Sequence, residues 1–91
     1  MIEVQVLSKI DCPLCDKAVA VIEQLKEEAS FRLTIIDIYQ DDILLEKYQL
    51  MIPVVVIDGE EVDFGQVSKG KVKKRLAQKA EDISKGPKTT F

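Results

Sequence analysis

The chain has 91 residues, 46% of them hydrophobic and 32% charged, with a net charge of −3. That is one domain with material for a core, near the small end of what folds alone, and its charge gives no general attraction to nucleic acid or anionic lipid. No apolar run approaches the ~20 residues of a membrane helix, and the absence of histidine excludes Cys–His protease chemistry and the usual mixed Cys/His zinc sites.

Ile2, Val4 and Val6 alternate with Glu3 and Gln5, the period of two that predicts a first strand through Leu7. Because this opening alternates and carries an acid, it is unlike a secretory leader, and the protein is expected in the cytoplasm. The only two cysteines come next, in Cys12-Pro13-Leu14-Cys15. A disulfide between them closes a loop too short to constrain much of the unfolded chain, which makes the pair a poor staple. In a reducing compartment such a pair points to exchange chemistry or metal capture. Pro13 suits the first turn of a helix, where its missing N–H costs nothing. With Cys12 at the N-cap and Cys15 one turn on, both sulfurs share one end and one face of that helix. Cys15, Ala18, Val19, Ile22, Leu25 and Ala29 repeat at helical spacing and carry it to about residue 29.

Phe31 to Asp37 is short and β-branched, which predicts a second strand. A strand, a long helix and a strand make a right-handed βαβ unit with parallel strands. Asp41 and Asp42 at the start and Lys47 near the end match a short helix and its dipole. Ile52-Pro53 stops that helix, and Val54 to Ile57 is a buried strand. Asp58-Gly59 is a hairpin signal that returns Glu60 to Phe64 antiparallel. Ser68 is placed to cap a last helix carrying Val72, Leu76, Ala80 and Ile83 on one face, although Lys71 stands where a capping box would want Glu or Gln. Residues 85–91 have no periodicity and are expected to form a flexible tail, leaving 1–84 as the domain. Charge is uneven: residues 1–63 carry 5 Lys/Arg against 14 Asp/Glu, and residues 64–91 carry 8 against 2. The basic last helix either complements the acidic body or docks an acidic partner.

The order β-α-β-α-β-β-α, with a CxxC opening the helix of a βαβ unit and an Ile-Pro before a later strand, resembles the thioredoxin superfamily. Cys-Pro-Leu-Cys-Asp, Tyr48 ahead of the Ile-Pro and Asp58-Gly59-Glu60-Glu61-Val62 are similar to the small glutaredoxin-like proteins of bacteria and archaea, over roughly residues 1–83. The resemblance implies an α/β, thioredoxin-like fold of glutaredoxin type: a four-stranded mixed sheet ordered 2-1-3-4, flanked by helices, with the third and fourth strands antiparallel to the first two. It also implies a cis Ile52-Pro53 peptide beside the CxxC, with the N–H and C=O of Ile52 free to pair with an extended substrate. Relatives often place Gly after the tyrosine to end the helix left-handed, and Gln49 is expected to bear that conformation here.

By the same resemblance the chain is a dithiol–disulfide oxidoreductase whose redox disulfide is Cys12–Cys15. Exchange needs a thiolate that attacks a disulfide and a second thiol that resolves the mixed intermediate. As N-cap, the Cys12 sulfur is expected to accept from the N–H groups of Leu14 and Cys15. The helix dipole and Lys9 favour its negative charge, while Asp11 and Asp16 oppose it. Cys12 is therefore the expected nucleophile, more accessible than Cys15, the resolving thiol. Lys9, Pro13, Leu14, Ile52 and Pro53 are the expected substrate-binding residues, with Leu14 either an apolar lip or simply packed.

Glutathione-using glutaredoxins carry a Gly-Gly pair after the hairpin and an acid soon after. Here Asp63-Phe64 stands nearest the glycines, and Phe64 would block close backbone approach. The glutathione contacts reduce to Lys9, the Ile52 backbone and Ser68. No resident cofactor is expected, and glutathione is a co-substrate with an incomplete motif. The expected partners are a disulfide-containing protein or small molecule and an electron donor, either glutathione or a thioredoxin-reductase-type system, acting on a monomer. Two other readings stay open. One is a metal or iron–sulfur cluster shared by the thiolates of two chains; the other is a non-catalytic module that docks through the basic helix or the Ile52 edge.

Overall fold

The alternation at the start of the chain becomes β1 (Ile2–Ser8), which sends Ile2, Val4 and Val6 into one core and Leu7 into another. The first face must be covered along its length, while the second, which carries Glu3 and Gln5, needs cover only at its Leu7 end. The computed structural model describes the backbone of residues 1–85 and the side chains of residues 1–81. After β1 come α1 (Pro13–Gln24), β2 (Phe31–Asp37), α2 (Asp42–Tyr48), β3 (Val54–Ile57), β4 (Glu60–Phe64) and α3 (Lys69–Lys85). The helical pattern expected to run to residue 29 is an α-helix only to Gln24, followed by a 3-10 turn over Leu25–Glu27. A second 3-10 turn, Ile38–Gln40, was not expected; the Asp37 carboxylate caps it by accepting from the Tyr39 N–H at 2.9 Å. Lys85, expected in the tail, is the last residue of α3. The rest of the expected tail and the Ile83 side chain lie outside the described residues.

The sheet has the expected order β2-β1-β3-β4. β1 and β2 are parallel, in register from Ile2 opposite Phe31 to Ser8 opposite Asp37. β3 is antiparallel to β1, and β4 is antiparallel to β3. The expectation that both later strands oppose the first two is therefore corrected. The hairpin reverses the chain a second time, so β4 runs in the direction of β1 and only β3 runs against it. That hairpin turns on Asp58 and Gly59 with φ of 47° and 86°. Positive φ at both central residues is the pattern of a type I′ turn, whose twist matches the flanking strands. Val55 opposes Asp63 and Val56 opposes Glu61, so Val62 is the extra residue of a bulge.

α1 and α3 cover one face of the sheet, where Ile22, Leu25, Val72 and Leu76 meet Val4, Val6, Val55 and Ile57. α2 covers the cysteine end of the other face, where Tyr48 meets Leu7, Ile38, Val54 and Val56. The Tyr48 hydroxyl donates to Glu61 of β4, which ties α2 to the far edge of the sheet. Gln49 does not bear a left-handed conformation: it is right-handed, with φ −55° and ψ −27°. The Met51 and Ile52 N–H groups both turn back to the Tyr48 carbonyl, at 2.8 and 3.2 Å, so the helix ends in a tightened turn instead.

Ser68 caps α3 as expected, its hydroxyl accepting from the Lys71 N–H at 3.3 Å. The missing capping-box acid is supplied from β4. Asp63 accepts from the Ser68 N–H at 2.8 Å, the bond that a Glu at the Lys71 position would make, and pairs with the Lys71 ammonium at 3.6 Å. The basic charges of α3 largely meet acids of the body: Lys73 pairs with Glu28 at 2.7 Å, and Lys79 and Arg75 both pair with Glu60. No helix among the described residues is long and apolar enough to cross a membrane.

Ile22 is fully buried between α1 and the sheet, so Ile22→Ala should cost about 2–5 kcal/mol in denaturant unfolding. A loss below about 1 kcal/mol would show that α1 is not packed there. The Glu28 carboxyl is held below its ordinary range by the hydrogen bond and charge of Lys73, and that of Glu60 by hydrogen bonds from Lys79 and Arg75. A carboxyl depressed in the folded state stabilises it above its unfolded pKa, and the gain disappears as pH falls through the folded value. Glu28→Gln and Glu60→Gln should each lower the thermal midpoint slightly at pH 7. Variant and parent melting curves should converge in acid below the ordinary carboxylate range.

Candidate functional site

Pairing of Ser8 with Asp37 and of Leu7 with Val54 puts the exit of β1, the exit of β2 and the entry to β3 at one end of the sheet. The exit of β4 joins them, since Phe64 opposes Val54. The turn that links β1 to α1 runs through Asp11 at φ 58°. This left-handed conformation costs most side chains about 1–2 kcal/mol, and Asp is among the few that visit it routinely. It delivers Cys12 to the N-cap in extended conformation, φ −120° and ψ 100°. Pro13 opens the helix, and the Cys12 sulfur accepts from the Cys15 N–H at 3.2 Å. The Leu14 N–H, the other expected donor, makes no such bond among the described residues. Its absence fits the cap geometry, in which one N–H of the first turn is taken by the cap side chain.

Cys12 and Cys15 are joined as a disulfide with their Cα atoms 5.1 Å apart. Both are buried, but unequally: Cys12 keeps 8% of its surface and Cys15 2%. The outer sulfur is therefore the one at the helix mouth. Asp16 lies in the first turn of α1, next to Cys15. Among the described residues no group of three or more His, Cys, Asp or Glu side chains is placed to hold a metal ion. A metal on the two thiolates would need further ligands from outside the chain.

The remaining expected site residues lie on segments at this same end of the sheet. Ile52-Pro53 is cis, and Pro53 is buried immediately before Val54. The Pro53 carbonyl accepts from the Gly65 N–H at 2.8 Å, which fastens the segment to the end of β4. Ile52 is half-buried, and only half of its expected backbone pair is free: its N–H is spent on Tyr48, while its carbonyl accepts no hydrogen bond among the described residues. Pro13 is exposed, and Leu14 is exposed beside Cys12 rather than packed. Lys9 is exposed and lines a recess of about 210 Å³ with Ile10, Asp37 and Tyr39. Ser68, expected to contact glutathione, is committed at both its N–H and its hydroxyl to the start of α3. Phe64 stands exposed at the end of β4, its N–H held by the Asp63 carboxylate at 2.9 Å.

Ile10 and Tyr39 were not expected at the site. Their signal in the sequence was the presence of large apolar side chains in polar connecting segments, where burial gives them no reason to be.

The sequence matches the model of the Glutaredoxin-like domain (DUF836) family over residues 3–77, from the first strand to the last helix and across the cysteine pair. The chain belongs to that family. No curated protein matches it in sequence. Among solved structures it is similar to protein Ne2328 from Nitrosomonas europaea, at 21% identity and a TM-score of 0.74, over 82% of this chain and 91% of the other. It is also similar to a structural-genomics target protein from X. campestris, at 25% identity and a TM-score of 0.68, over 82% and 96%. A mutant thioredoxin from Halobacterium salinarum shares the fold at 22% identity and a TM-score of 0.64, over 85% and 73%. The family makes this a glutaredoxin-like protein of the thioredoxin superfamily, the neighbours share its fold, and the chain's own closely placed Cys12–Cys15 pair is consistent with a redox role.

The left-handed turn at Asp11 gives this site a backbone test. Asp11→Gly should leave stability within about 0.5 kcal/mol of the parent, while Asp11→Val should cost about 1–2 kcal/mol or more. Equal stability of the two variants in denaturant unfolding would contradict the conformation described for the turn.

Proposed function

We propose that the protein is a thiol–disulfide oxidoreductase in which Cys12 attacks and Cys15 resolves. One observation carries this reading: the pair sits at the mouth of α1 with Cys12 in the cap and Cys15 one turn deeper, the outer sulfur hydrogen-bonded by the helix. An N-terminal cap stabilises negative charge on the sulfur that occupies it. In the reduced protein the Cys12 thiolate attacks one sulfur of a substrate disulfide. A mixed disulfide forms, and the other substrate sulfur leaves as a thiolate and takes up a proton. The Cys15 thiol gives its proton to solvent and attacks the Cys12 sulfur, breaking the mixed disulfide. The rest of the substrate leaves as a thiol, and the Cys12–Cys15 disulfide remains. Two electrons have passed from protein to substrate, and an outside thiol donor restores the dithiol.

Leu14, Ile52 and Pro53 border the attacking sulfur in this reading, and the Ile52 carbonyl, which accepts no hydrogen bond among the described residues, offers a backbone acceptor. Lys9 stands further out, and Pro13 stiffens the turn between the thiols. We place the activity in the cytoplasm, where paired cysteines serve exchange rather than permanent crosslinking. The donor is glutathione or a thioredoxin-reductase-type system. With Ser68 spent on capping and Phe64 in place of the glycines, the second is favoured.

The two thiols are separable by mutation. Cys12→Ser should abolish turnover of a disulfide substrate, and Cys15→Ser should accumulate a stable mixed disulfide visible by mass spectrometry under non-reducing conditions. Multiple turnover by Cys12→Ser would overturn the assignment.

A further inference from the structure

Each strand of the sheet brings a large apolar side chain to the cysteine end. Tyr39 follows β2, Ile10 and Leu14 follow β1, Ile52 precedes β3 and Phe64 closes β4. Four of these are well exposed: Tyr39 by 59%, Ile10 by 77%, Leu14 by 44% and Phe64 by 48%. The sheet order lays them out as a band with the cysteines near its middle. Strands about 4.8 Å apart put the outer two about 15 Å from each other, the reach of about four or five extended residues at roughly 3.3 Å each. A tripeptide covers about 10 Å of it. Recesses of mixed lining stand on both sides of the middle, about 210 Å³ with Ile10 and Tyr39 beside Lys9 and Asp37, and about 230 Å³ with Met51, Val54 and Phe64 beside Glu61, Asp63 and Lys71.

The rim of this band is acidic on the side of β1 and β2, while Glu61, Asp63 and Lys71 share the Phe64 side. Asp11, Asp16, Asp37, Asp41 and Asp42 stand on the segments around it, against Lys9 and Lys17. None of these five carboxylates is in an ion pair among the described residues, whereas Lys71, Lys73, Arg75 and Lys79 of the basic helix are. Unpaired charge of one sign around an apolar centre selects a partner of the opposite sign. Glutathione, with two carboxylates and one ammonium, has the wrong sign and the shorter reach.

We propose that the substrate of this dithiol is an extended polypeptide segment, apolar on both sides of its disulfide-bonded cysteine and basic beyond. The proposal rests on the oxidoreductase reading and names the partner of that same site. The apolar neighbours of the substrate cysteine occupy the two recesses, and its Lys or Arg residues meet the acidic rim.

The test is the rate at which substrate disulfides oxidise the reduced full-length protein. The substrates are a short synthetic peptide disulfide with Leu beside Cys and Lys at both ends, the same peptide with Glu for Lys, glutathione disulfide, and neutral hydroxyethyl disulfide. The Lys peptide should react at least about fivefold faster than the Glu peptide or glutathione disulfide, and the margin should shrink in about 0.5 M salt. In Asp42→Lys, and separately in Tyr39→Ser, the ratio of the Lys-peptide rate to the hydroxyethyl disulfide rate should fall at least about threefold. A smaller preference, or ratios that both variants leave intact, would overturn the proposal while sparing the oxidoreductase reading. Failure of hydroxyethyl disulfide and all the others to oxidise the protein would overturn that reading and the proposal with it.

Discussion

β1 is apolar along the whole of one face and at the Leu7 end of the other, and most of the architecture follows from that constraint. Ile2, Val4 and Val6 belong to the core under α1 and α3, and Leu7 to the core under α2. Full burial of each such side chain is worth roughly 1.5–3 kcal/mol, so a chain this small has little to hold it together if the strand is left bare on one side. Placing β1 in the interior of the sheet, between β2 and β3, satisfies its backbone as well as its side chains. The chain must then leave from the middle of the sheet end, and the helix that returns over the strand begins there. The cysteine pair thus lies at a helix N-terminus because it follows a strand that has to be covered.

Local signals in the sequence carried over well where a short stretch decides its own conformation. The period of two in Ile2 to Val6 and the Asp58-Gly59 turn appear as read, and the helical spacing from Cys15 toward Ala29 holds as an α-helix to Gln24 before tightening into a 3-10 turn. Ser68 caps its helix despite the basic residue three positions on. The replacement for the missing acid comes from Asp63, on a neighbouring strand, and spacing within one helix carries no sign of it. Gln49 went differently for a similar reason. A helix can end by tightening its last turn onto one carbonyl, and Tyr48 provides it, so no left-handed residue is required. The direction of β4 follows from the hairpin, which reverses the chain between β3 and β4 and so sets β4 along β1.

Within the site, the positions of Cys12, Cys15 and Pro53 were legible because motif and strand order place them. The left-handed turn at Asp11 was not, since Asp tolerates that conformation without demanding it. The division of charge became readable only in three dimensions. An acidic body and a basic last helix look like two opposed surfaces along the chain. In the fold, Glu28, Glu60 and Asp63 take up much of the helix charge. The carboxylates of Asp11, Asp16, Asp37, Asp41 and Asp42, on the segments around the cysteine end, are among those left without an ion pair in the described residues.

On the proposed function, Cys12 and Cys15 are a working redox pair rather than an inert crosslink. Equilibration of the protein against glutathione buffers of graded potential, with the thiol state read by alkylation and mass, tests it most directly. The expected result is a single two-electron transition, with a potential inside the span of about −270 to −120 mV occupied by dithiol exchange proteins. A disulfide that stays closed below about −300 mV, in the range of structural crosslinks, would contradict it, as would a pair that never closes.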